Sequence, residues 1–476
     1  MRPETQTPAK EMEASLVVIG GGGAGLASAL AAAEKGVTGI VVLEKRGALG
    51  GNTALATGLF ACESPAQARD KIVADRDELF KRAMNWAHWS RVNPRILRIF
   101  FNKSGDTIRW LEEKGLQFNV ITFFPNQNPR VEHVAKGKGA EVIQVLAKNS
   151  RSSGVQILSS CAATRILFDA ENKLAGVRAT MGSETLKIET QTIIIATGGF
   201  GANEILLKKL CPLYYEGMPM RGLPLTGDGL ILASEAGAAT EDFVTLLKEG
   251  PRIDLNIWPL GGLEREPQTM WVNRRGQRFT DEAIGIHPFE AVNPMIAQPD
   301  GVTYTLLDDR IKQGFAAKKS GLDEALQKEV AKNRVKISNS WDEIATWIGA
   351  SIPALKESIE EYNAGCERGY DNLFAKERRY LESVLTPPFY AIRCLPHFLD
   401  TLGGIKINER MEVLNQDSAP IAGLYAAGVI TSGWESETYC SDLSGSAFGY
   451  AINSGRIAGE NAAHRILGKD EIQSQS

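Results

Sequence analysis

A run of glycines near the N-terminus has the spacing of a phosphate-binding turn. Gly20, Gly22 and Gly25 form the pattern GxGxxG directly after the apolar segment 15–19 and before an Ala-rich segment. Glycines at these positions permit a tight turn and let backbone N–H groups approach a pyrophosphate at a helix N-terminus. Glu44 ends the next apolar segment, where a carboxylate can accept a hydrogen bond from a ribose 2′-OH. The spacing predicts a βαβ dinucleotide-binding unit, and the acid argues against a 2′-phosphate.

The elements that must position this turn recur along the chain. Further apolar segments have the length of buried strands, and 66–117 has helical periodicity. Between 241 and 375 the chain is richer in Trp, Pro and charge and has no nucleotide motif. We therefore predict a nucleotide-binding domain formed by 15–240 and 376–476, an inserted domain over 241–375, and a disordered lead-in over 1–14. The later segments that we expect to form strands are 155–158, 164–168, 176–179, 191–196 and 423–427, and 447–465 is expected to be a helix.

Composition excludes several classes of function. The 476 residues carry 53 Lys+Arg and 57 Asp+Glu, a formal charge of −4, which gives no general attraction to nucleic acid. No apolar run approaches the roughly 18 residues of a membrane span, and no leader motif is present, so a cytoplasmic location is predicted. The six cysteines and five histidines lack metal-ligand or haem spacing. Gly is abundant at 47 residues, as expected for a chain that closely surrounds a large ligand.

Several further motifs, in order, mark a resemblance to a known family. With the glycine turn, they resemble the FAD-dependent oxidoreductase 2 superfamily, which contains fumarate reductase/succinate dehydrogenase flavoproteins and 3-ketosteroid dehydrogenases. The resemblance implies a Rossmann-like, glutathione-reductase-type FAD-binding domain with an inserted α+β capping/substrate domain. The motifs are GGGAGLASA at 21–29, GGNTALATG at 50–58, ATGGF at 196–200, TGDG at 226–229, GG at 403–404, GLYAAG at 423–428 and SGRIAG at 454–459.

The resemblance also implies which residues hold FAD. Val429 stands where the family commonly has Glu or Asn, so one flavin contact is expected to be missing. The segment 50–58 has no histidine for a covalent linkage, so the FAD is predicted to be non-covalent. The residues implied to contact FAD are Gly20, Gly22, Gly25, Glu44, Lys45, Gly51, Asn52, Thr53, Gly58, Ala162, Ala196, Thr197, Gly198, Asp228, Gly428, Ser446 and Ala447.

Departures from the family pattern bear on the substrate. The segment 273–282 matches the sequence that precedes the proton-donating Arg of fumarate reductases, yet 283–290 contains no Arg. The family's His-Thr-Met-Gly-Gly loop is here 400–404, which begins with Asp, and the Arg-containing loop before the last helix is here 439–445, which contains Asp442. Because two cations and a His are replaced and acids are added, a dicarboxylate is predicted to be repelled.

The loop 439–445 instead resembles the ketosteroid dehydrogenase branch, in which tyrosines act on a ketone. The hydroxyls of Tyr439 and Ser441 are candidates for proton transfer or carbonyl polarisation, and His287 is the candidate in the inserted domain. An alternative is that Tyr439 packs, His287 precedes a turn and Asp442 caps the last helix. The candidate catalytic residues are Tyr439, Ser441, His287, Thr401 (facing flavin N5) and Asp442, with Asp400 as a second orienting acid.

Two aromatic groups are candidates for the walls of a substrate pocket. Trp86, His88 and Trp89 form a pocket wall or, by a simpler interpretation, part of the core. Phe123 and Phe124 begin a segment, 123–126, that lies where relatives contribute to the substrate cleft, and their rings would suit an apolar substrate.

The sequence thus predicts a flavin-dependent enzyme acting on CH–CH groups. Its reaction is α,β-desaturation, or the reverse ene-reduction, next to the carbonyl of a neutral cyclic ketone. No second GxGxxG is present, so an external electron acceptor or donor (a quinone, a protein or oxygen) is expected. One alternative is fumarate-reductase-like reduction of an unsaturated carboxylate held by Arg252 or Arg393. Another is a flavoprotein subunit that only relays electrons.

Overall fold

The structure is a computed structural model that describes residues 10–125, 127–253 and 260–468. The strands within these residues are β1 Lys10–Glu13, β2 Leu16–Ile19, β3 Ile40–Glu44, β4 Leu59–Phe60, β5 Phe118–Ile121, β6 Glu132–Ala135, β7 Gln156–Ser159, β8 Cys161–Phe168, β9 Leu174–Met181, β10 Glu184–Glu189, β11 Ile193–Ile195, β12 Thr245–Arg252, β13 Met270–Asn273, β14 Thr303–Leu307, β15 Val335–Ser338, β16 Phe389–Leu402, β17 Glu412–Leu414 and β18 Pro420–Ala426.

The α-helices alternate with these strands through much of the chain. They are α1 Gly23–Glu34, α2 Pro65–Arg69, α3 Arg76–Trp86, α4 Pro94–Glu112, α5 Lys138–Ser152, α6 Glu204–Leu210, α7 Asp228–Glu235, α8 Pro288–Ile296, α9 Asp309–Ala316, α10 Leu322–Ala331, α11 Trp341–Ile348, α12 Ile352–Arg368 and α13 Ser446–Ile466. The segment 66–117 is therefore three helices rather than one helical stretch. Ser64, Asp75 and Asn93 cap their starts, each accepting a hydrogen bond from a backbone N–H of the first turn.

The chain divides into two compact units. Unit 1 comprises the described residues up to Pro212, the segment Gly222–Leu246 and the residues from Asp400 onward, and unit 2 comprises Leu213–Arg221 and Leu247–Leu399. Unit 2 extends to Leu399, beyond the predicted end of the inserted domain at 375. The reason is that β16 pairs with both β14 and β15 and so belongs to the sheet of unit 2 up to that point.

Unit 1 is built on a six-stranded sheet with the order β17-β18-β11-β2-β3-β7. All neighbouring pairs from β18 to β7 are parallel, and only β17 is antiparallel. Strands β2, β3 and β11 are buried along their whole length, which explains why they are continuous apolar runs without alternation. This parallel order, with α1 following β2, agrees with the predicted Rossmann-like α/β fold.

Helices α1 and α13 cross each other very closely. A side chain on Gly455 would lie 2.3 Å from the carbonyl oxygen of Ala24, and one on Gly459 would lie 2.1 Å from that of Ser28. The SGRIAG motif therefore fixes the approach of the last helix to the first helix of the glycine turn. This contact holds the middle of α13 against the start of α1. Gly428, just after β18, also lies there, since a Cβ on it would be 3.0 Å from that of Ala24.

Two smaller sheets complete unit 1, with the orders β1-β10-β9-β8 and β4-β6-β5. The predicted disordered lead-in is wrong for Lys10–Glu13, because these residues pair in parallel with β10, and Glu11 forms an ion pair with Lys187. The rest of that prediction, residues 1–9, lies outside the described residues.

Unit 2 is a five-stranded sheet, β12-β16-β14-β13 with β15 paired to β16, surrounded by α8 to α12. Its core contains aliphatic and aromatic side chains from the strands and helices, among them Leu306, Leu326, Ile344 and Leu355. This is the α+β character expected of the inserted domain. Within the described residues, no helix combines the length and the apolar character that crossing a membrane requires.

Candidate functional site

The predicted cofactor residues lie along one edge of the six-stranded sheet. Hydrogen bonds join the ends of neighbouring strands, with Gly20 N–H donating to Leu43 O at 2.8 Å and Ala196 N–H to Ile19 O at 2.8 Å. Ala427 N–H continues this row by donating to Ile195 O at 2.9 Å. Ligands of open parallel sheets bind outside the carboxyl ends of the strands. The edge therefore places the glycine turn, Glu44, the 196–200 loop and the 427–428 turn side by side.

The glycine turn has the shape that a pyrophosphate requires. A Cβ on Gly25 would lie 1.9 Å from Gly20 O, and one on Gly20 would lie 2.3 Å from Ala196 O, so neither position accepts a side chain. At Gly22 the nearest atom to a Cβ would be Gly50 O at 3.7 Å, which leaves space beside the start of α1. No side chain among the described residues caps α1, so the backbone N–H groups of its first turn are available to an anion.

Glu44 is buried at the end of β3 and oriented by backbone. Its Oε2 accepts from Gly21 N–H at 2.8 Å and its Oε1 from Arg46 N–H at 2.8 Å. An ionised carboxylate offers about four acceptor positions, so both oxygens can still accept from ribose hydroxyls. Arg46 O accepts from Ser160 N–H at 3.0 Å, and this bond holds the start of β8, with Ala162, near Glu44.

Lys45 and Asp228, which the resemblance implies as two separate FAD contacts, form an ion pair with each other. Lys45 Nζ lies 2.8 Å from Asp228 Oδ2 and 2.5 Å from Thr226 Oγ1. Burial would raise the pKa of Asp228, but its hydrogen bonds and the charge of Lys45 outweigh burial and lower it. Both residues keep polar atoms at the sheet edge, as the resemblance requires. The sequence contained no signal for their pairing.

Thr197 provides an independent indication of a ligand. Its Oγ1 is buried and has no hydrogen-bond partner among the residues that the structure describes. A side chain on Gly229 would lie only 2.2 Å from this oxygen, so Gly229 keeps the space beside it open. Gly198 follows with a positive φ of 73°. A buried hydroxyl without a partner is unfavourable, and FAD hydroxyl or phosphate oxygens would satisfy it.

The segment 50–58 folds over the start of α1. Asn52 donates from Nδ2 to Asp400 Oδ2 at 2.7 Å and accepts from Leu223 N–H at 2.8 Å. Burial raises the pKa of Asp400 to about 6 despite these hydrogen bonds. Thr53 packs against Gly23, where a Cβ would lie 2.7 Å from Thr53 Oγ1. Gly51 begins the short 3-10 helix, Gly51–Leu55, that carries both side chains.

The N-terminus of α13 closes the row of predicted cofactor residues. Gly428 N–H donates to Ser454 Oγ at 2.9 Å, and Ser446 is the first residue of the helix. Tyr439 is buried, and its hydroxyl accepts from Ala447 N–H at 3.1 Å. Burial raises the pKa of Tyr439, so the phenol is neutral near pH 7. Tyr439 thus lies at the helix end that the resemblance assigns to the flavin pyrimidine.

The other predicted catalytic residues lie at different places. Ser441 is buried, and its carbonyl accepts from Gln127 Nε2 at 3.3 Å. The carboxylate of Asp442 is 45% exposed and 3.9 Å from Arg82, and it does not cap α13, whose N-cap is Gly445. Thr401 is fully buried, with its Oγ1 accepting from the N–H of Phe200 at 2.9 Å.

His287 belongs to unit 2. It is the residue before α8, and its Nδ1 lies 4.0 Å from Glu290 Oε2. Its catalytic role stays a prediction.

Glu132 is a functional candidate that the sequence analysis missed. It is the first residue of β6, it is buried, and its Cγ would lie 2.7 Å from a Cβ on Gly58. Burial raises its pKa to about 7, although a hydrogen bond with Ser444 opposes this. Ser444 Oγ accepts from Gln127 Nε2 at 2.8 Å, which leaves its own proton to donate. The signal in the sequence was an acid in the short segment 131–135, which reads VEHVA.

A cavity lies beside this helix end in unit 1, and Ser446 is one of its lining residues. Aromatic side chains form much of its wall, and Glu435 is the charged residue among the described residues that line it. Trp86 lines it and donates from Nε1 to Thr438 O at 2.7 Å, whereas Trp89 is 59% exposed. The pocket-wall interpretation therefore fits Trp86 but not Trp89. Residues that line the cavity include Phe60, Trp86, Phe100, Phe101, Trp434 and Ser446.

In the second aromatic group, Phe123 and Phe124, one ring is again buried and the other exposed. Phe124 is buried and its ring lies 4.8 Å from that of Phe123, which is 45% exposed. Asn126, which completes that predicted segment, lies outside the described residues.

The motif at 273–282 forms a buried network of ion pairs in unit 2. Arg278 contacts Glu282 at 2.9 Å and Asp371 at 3.0 Å, and Lys376 contacts Glu282 at 3.1 Å. Burial would raise the pKa of Glu282, but the charges of Lys376 and Arg278 outweigh it and lower the pKa. The acids of this network are matched by cations, so the motif has a structural role within unit 2.

The two arginines suggested for a carboxylate substrate are not equivalent. Arg252 lies 3.2 Å from Glu249 and 3.7 Å from Glu264, both buried. Arg393 is exposed on β16. The guanidinium of Arg252 is therefore already neutralised by protein carboxylates.

Comparisons with known proteins agree with this geometry. A sequence model of a family described as "FAD binding domain" matches residues 15–439. The chain is 30% identical to a vinyl phenol reductase of Lactiplantibacillus plantarum, over 96% of this chain and 98% of that protein. It is also 30% identical to an NADH:fumarate oxidoreductase of Klebsiella pneumoniae, over 95% of this chain but only 48% of that protein.

Among solved structures, the fold matches 3-ketosteroid-Δ4-(5α)-dehydrogenase from Rhodococcus jostii RHA1. The TM-score is 0.78 at 22% identity, over 96% of this chain and 98% of that chain. The predicted fold class and FAD cofactor are thereby confirmed. This chain belongs to the FAD-binding-domain family, and it is an FAD-dependent oxidoreductase that acts on CH–CH groups.

Proposed function

We propose that this enzyme reduces a C=C bond conjugated to a ring or a carbonyl in a small, neutral substrate. The observation that carries the neutral substrate is the aromatic cavity beside Ser446 in unit 1. A carboxylate entering it would meet Glu435 and no basic side chain of the described lining. Transfer of an anion out of water without a cationic partner is unfavourable, so a neutral ring is favoured. The reverse reaction is the predicted desaturation.

The lining of the cavity narrows the substrate class. Its wall is rich in aromatic rings, which favour a flat ring compound by stacking and apolar contact. A relative named vinyl phenol reductase, matched over nearly the full length of both chains, supports this choice.

FAD, bound non-covalently in this proposal, would supply the hydride in its reduced form. The protein must supply a proton to the other carbon, and Tyr439, Ser441 and Glu132 are the candidates in unit 1. Of these, Glu132 has a pKa near neutrality, while the Tyr439 phenol holds its proton firmly. Asp400, with a pKa of about 6, holds Asn52 in place. Unit 2 as a capping domain, an external electron carrier and a cytoplasmic location remain parts of this proposal.

An unsaturated carboxylate is the second candidate substrate. In unit 2, Arg221 and Arg252 both contact Glu249, and Arg252 lies near Glu264. The buried Nε of Arg265 has no hydrogen-bond partner within the described residues. Three arginines therefore face two glutamates, and the one excess cation could hold a carboxylate. The fumarate named for the Klebsiella pneumoniae relative fits this alternative.

Anaerobic reoxidation of the chemically reduced holoenzyme distinguishes these substrates. We expect 4-vinylphenol to restore the absorbance of oxidised flavin and to give 4-ethylphenol, while fumarate and acrylate leave the flavin reduced. Reoxidation by fumarate, with no response to 4-vinylphenol or a cyclic enone, would overturn the proposal in favour of the carboxylate. Failure of all of these compounds would favour the electron-relay subunit.

A further inference from the structure

Trp434 is held rigidly at the wall of the aromatic cavity in unit 1. Its side chain is buried, with 3% exposure, and stacks on the ring of Tyr450 at a centroid distance of 4.5 Å and an angle of 9°. Tyr450 is fixed in turn, because its hydroxyl lies 2.8 Å from Thr431 Oγ1. The indole therefore presents its Nε1–H in one orientation.

That N–H has no acceptor within the part of the chain that the structure describes. Buried indole N–H groups usually find one, because leaving a buried donor unsatisfied is unfavourable. The contrast with Trp86, in the wall of the same cavity, is direct, since its Nε1 donates to Thr438 O at 2.7 Å. One tryptophan of the cavity is thus satisfied by protein, and the other is left for a ligand.

Trp434 also marks a boundary between two environments. Together with Glu435, it lines both the aromatic cavity and a separate polar cleft. The cleft includes Arg91, whose guanidinium lies 3.7 Å from the ring centre of Phe243, and Glu241, whose pKa burial raises to about 7. A molecule with its ring in the cavity would therefore place a polar substituent near Trp434.

We propose that Trp434 Nε1 donates a hydrogen bond to an oxygen of the substrate, a phenol or carbonyl oxygen carried by the ring. This inference rests on the proposed function and deepens it, because it selects ring compounds with an acceptor oxygen over hydrocarbons of the same shape. A site built to hydrogen-bond a polar group rejects analogues that lack it, since its own buried donor is then left unpaired.

Binding of saturated, product-like ligands to the oxidised holoenzyme tests this without turnover. By calorimetry, 4-ethylphenol is expected to bind roughly tenfold or more tightly than ethylbenzene. Acetophenone, which accepts but does not donate, is expected to share that advantage. In the Trp434→Phe variant, which keeps a ring to stack on Tyr450, the preference for oxygen should fall to about twofold or less.

Trp86→Phe is the matched control, because the N–H of Trp86 is already used by Thr438. This variant is expected to weaken the binding of all three ligands by a similar factor, so that the ratios of their affinities stay the same. Equal binding of ethylbenzene and 4-ethylphenol by the wild type would overturn the inference, and so would an unchanged ratio in Trp434→Phe.

If the Trp434→Phe variant loses FAD, the wild-type protein still tests the inference. Its affinity for acetophenone must then exceed its affinity for ethylbenzene, and equal affinities would overturn the inference. Ligand binding with the expected preference, but no reoxidation by 4-vinylphenol, would contradict the proposed function and leave this inference standing.

Discussion

Buried carboxylates occur in both units, and their surroundings differ. In unit 2, Glu282 is fully buried but contacts Arg278 and Lys376, and its pKa is lowered. In unit 1, Glu132 and Asp400 are buried with hydrogen bonds from neutral groups, and their pKa values are raised to about 7 and about 6. Glu282 is thus kept charged in unit 2, whereas the pKa values of Glu132 and Asp400 in unit 1 are moved close to neutral pH.

The pKa values differ because different groups offset the desolvation of the buried carboxylates in the two units. Burial disfavours the charged form of an acid, and nearby cations favour it. The network of unit 2 is matched and buried, which is the pattern of a structural ion-pair cluster. In unit 1, Glu132 lies against Gly58 and Asp400 accepts a hydrogen bond from Asn52. Gly58 and Asn52 are predicted cofactor residues, and acids with perturbed pKa values near such sites are often functional. Buried acids without cations are therefore the better guide to the active site here.

The largest expected effect comes from breaking the matched network. Lys376→Met leaves Glu282 and Arg278 buried with an incomplete set of partners, and we expect a loss of about 3–5 kcal/mol in the free energy of unfolding. Urea denaturation followed by circular dichroism measures it. The control is Lys356→Met, which removes an exposed pair with Asp342 and should cost at most about 1 kcal/mol. Equal losses in both variants would contradict the comparison.

The unmatched acid Glu132, whose pKa is raised, should make the protein less stable as the pH rises. This is the opposite of what Glu282, whose pKa is lowered, contributes. The folded pKa of Glu132 lies above its unfolded value of 4.5, so folding takes up a proton between these values. Its contribution to stability is present below about pH 4.5 and is lost as the pH rises through 7. We expect Glu132→Gln to remove a fall on the order of 1–3 kcal/mol between pH 5 and 8.

Unfolding free energies of wild type and variant at those two pH values measure this effect. Glu324→Gln, at an exposed site on α10, is the control and should leave the pH dependence unchanged. A wild-type protein that gains stability from this site as the pH rises would show that Glu132 has a cationic partner after all.

Removing the hydroxyl that caps α13 should have a moderate effect on stability. Tyr439→Phe deletes the acceptor of Ala447 N–H and is expected to lower the free energy of unfolding by about 1 kcal/mol. If the phenol also carries the proton, turnover falls about 10²–10⁴-fold with little change in ligand affinity. Thermal unfolding and single-turnover reoxidation measure the two effects separately. Unchanged turnover would assign Tyr439 to capping alone and leave Glu132 or Ser441 as the proton carrier.

The smallest effect is expected at the exposed acid of the same loop. Asp442→Asn removes a carboxylate that is 45% exposed and 3.9 Å from Arg82, so the free energy of unfolding should change by less than about 0.5 kcal/mol. Turnover should stay within about twofold of the wild type. A large loss of turnover in this variant would restore Asp442 as a catalytic residue.

The sequence by itself determined the βαβ unit and its glycine turn, and the resemblance carried by the ordered motifs implied FAD. The βαβ unit depends on local spacing, because its strand, turn and helix follow one another within about 30 residues. Gly20, Gly22, Gly25 and Glu44 could therefore be placed together without any long-range information. Lys10–Glu13 could not, because a short polar segment has no apolar pattern and becomes a strand only by pairing with β10.

Only the tertiary structure decided which buried polar groups have a partner of opposite charge or a hydrogen-bond acceptor. Arg278 meets Asp371 from a distant part of the chain, so the motif at 273–282 is structural although its sequence resembles the lead-in to a catalytic Arg. Among the described residues, Glu132 has no cation beside it as Glu282 does. Trp434 Nε1 likewise has no acceptor there, whereas Trp86 Nε1 has one. Burial and partnership depend on which side chains the fold brings within about 3 Å of one another, and no local pattern encodes that.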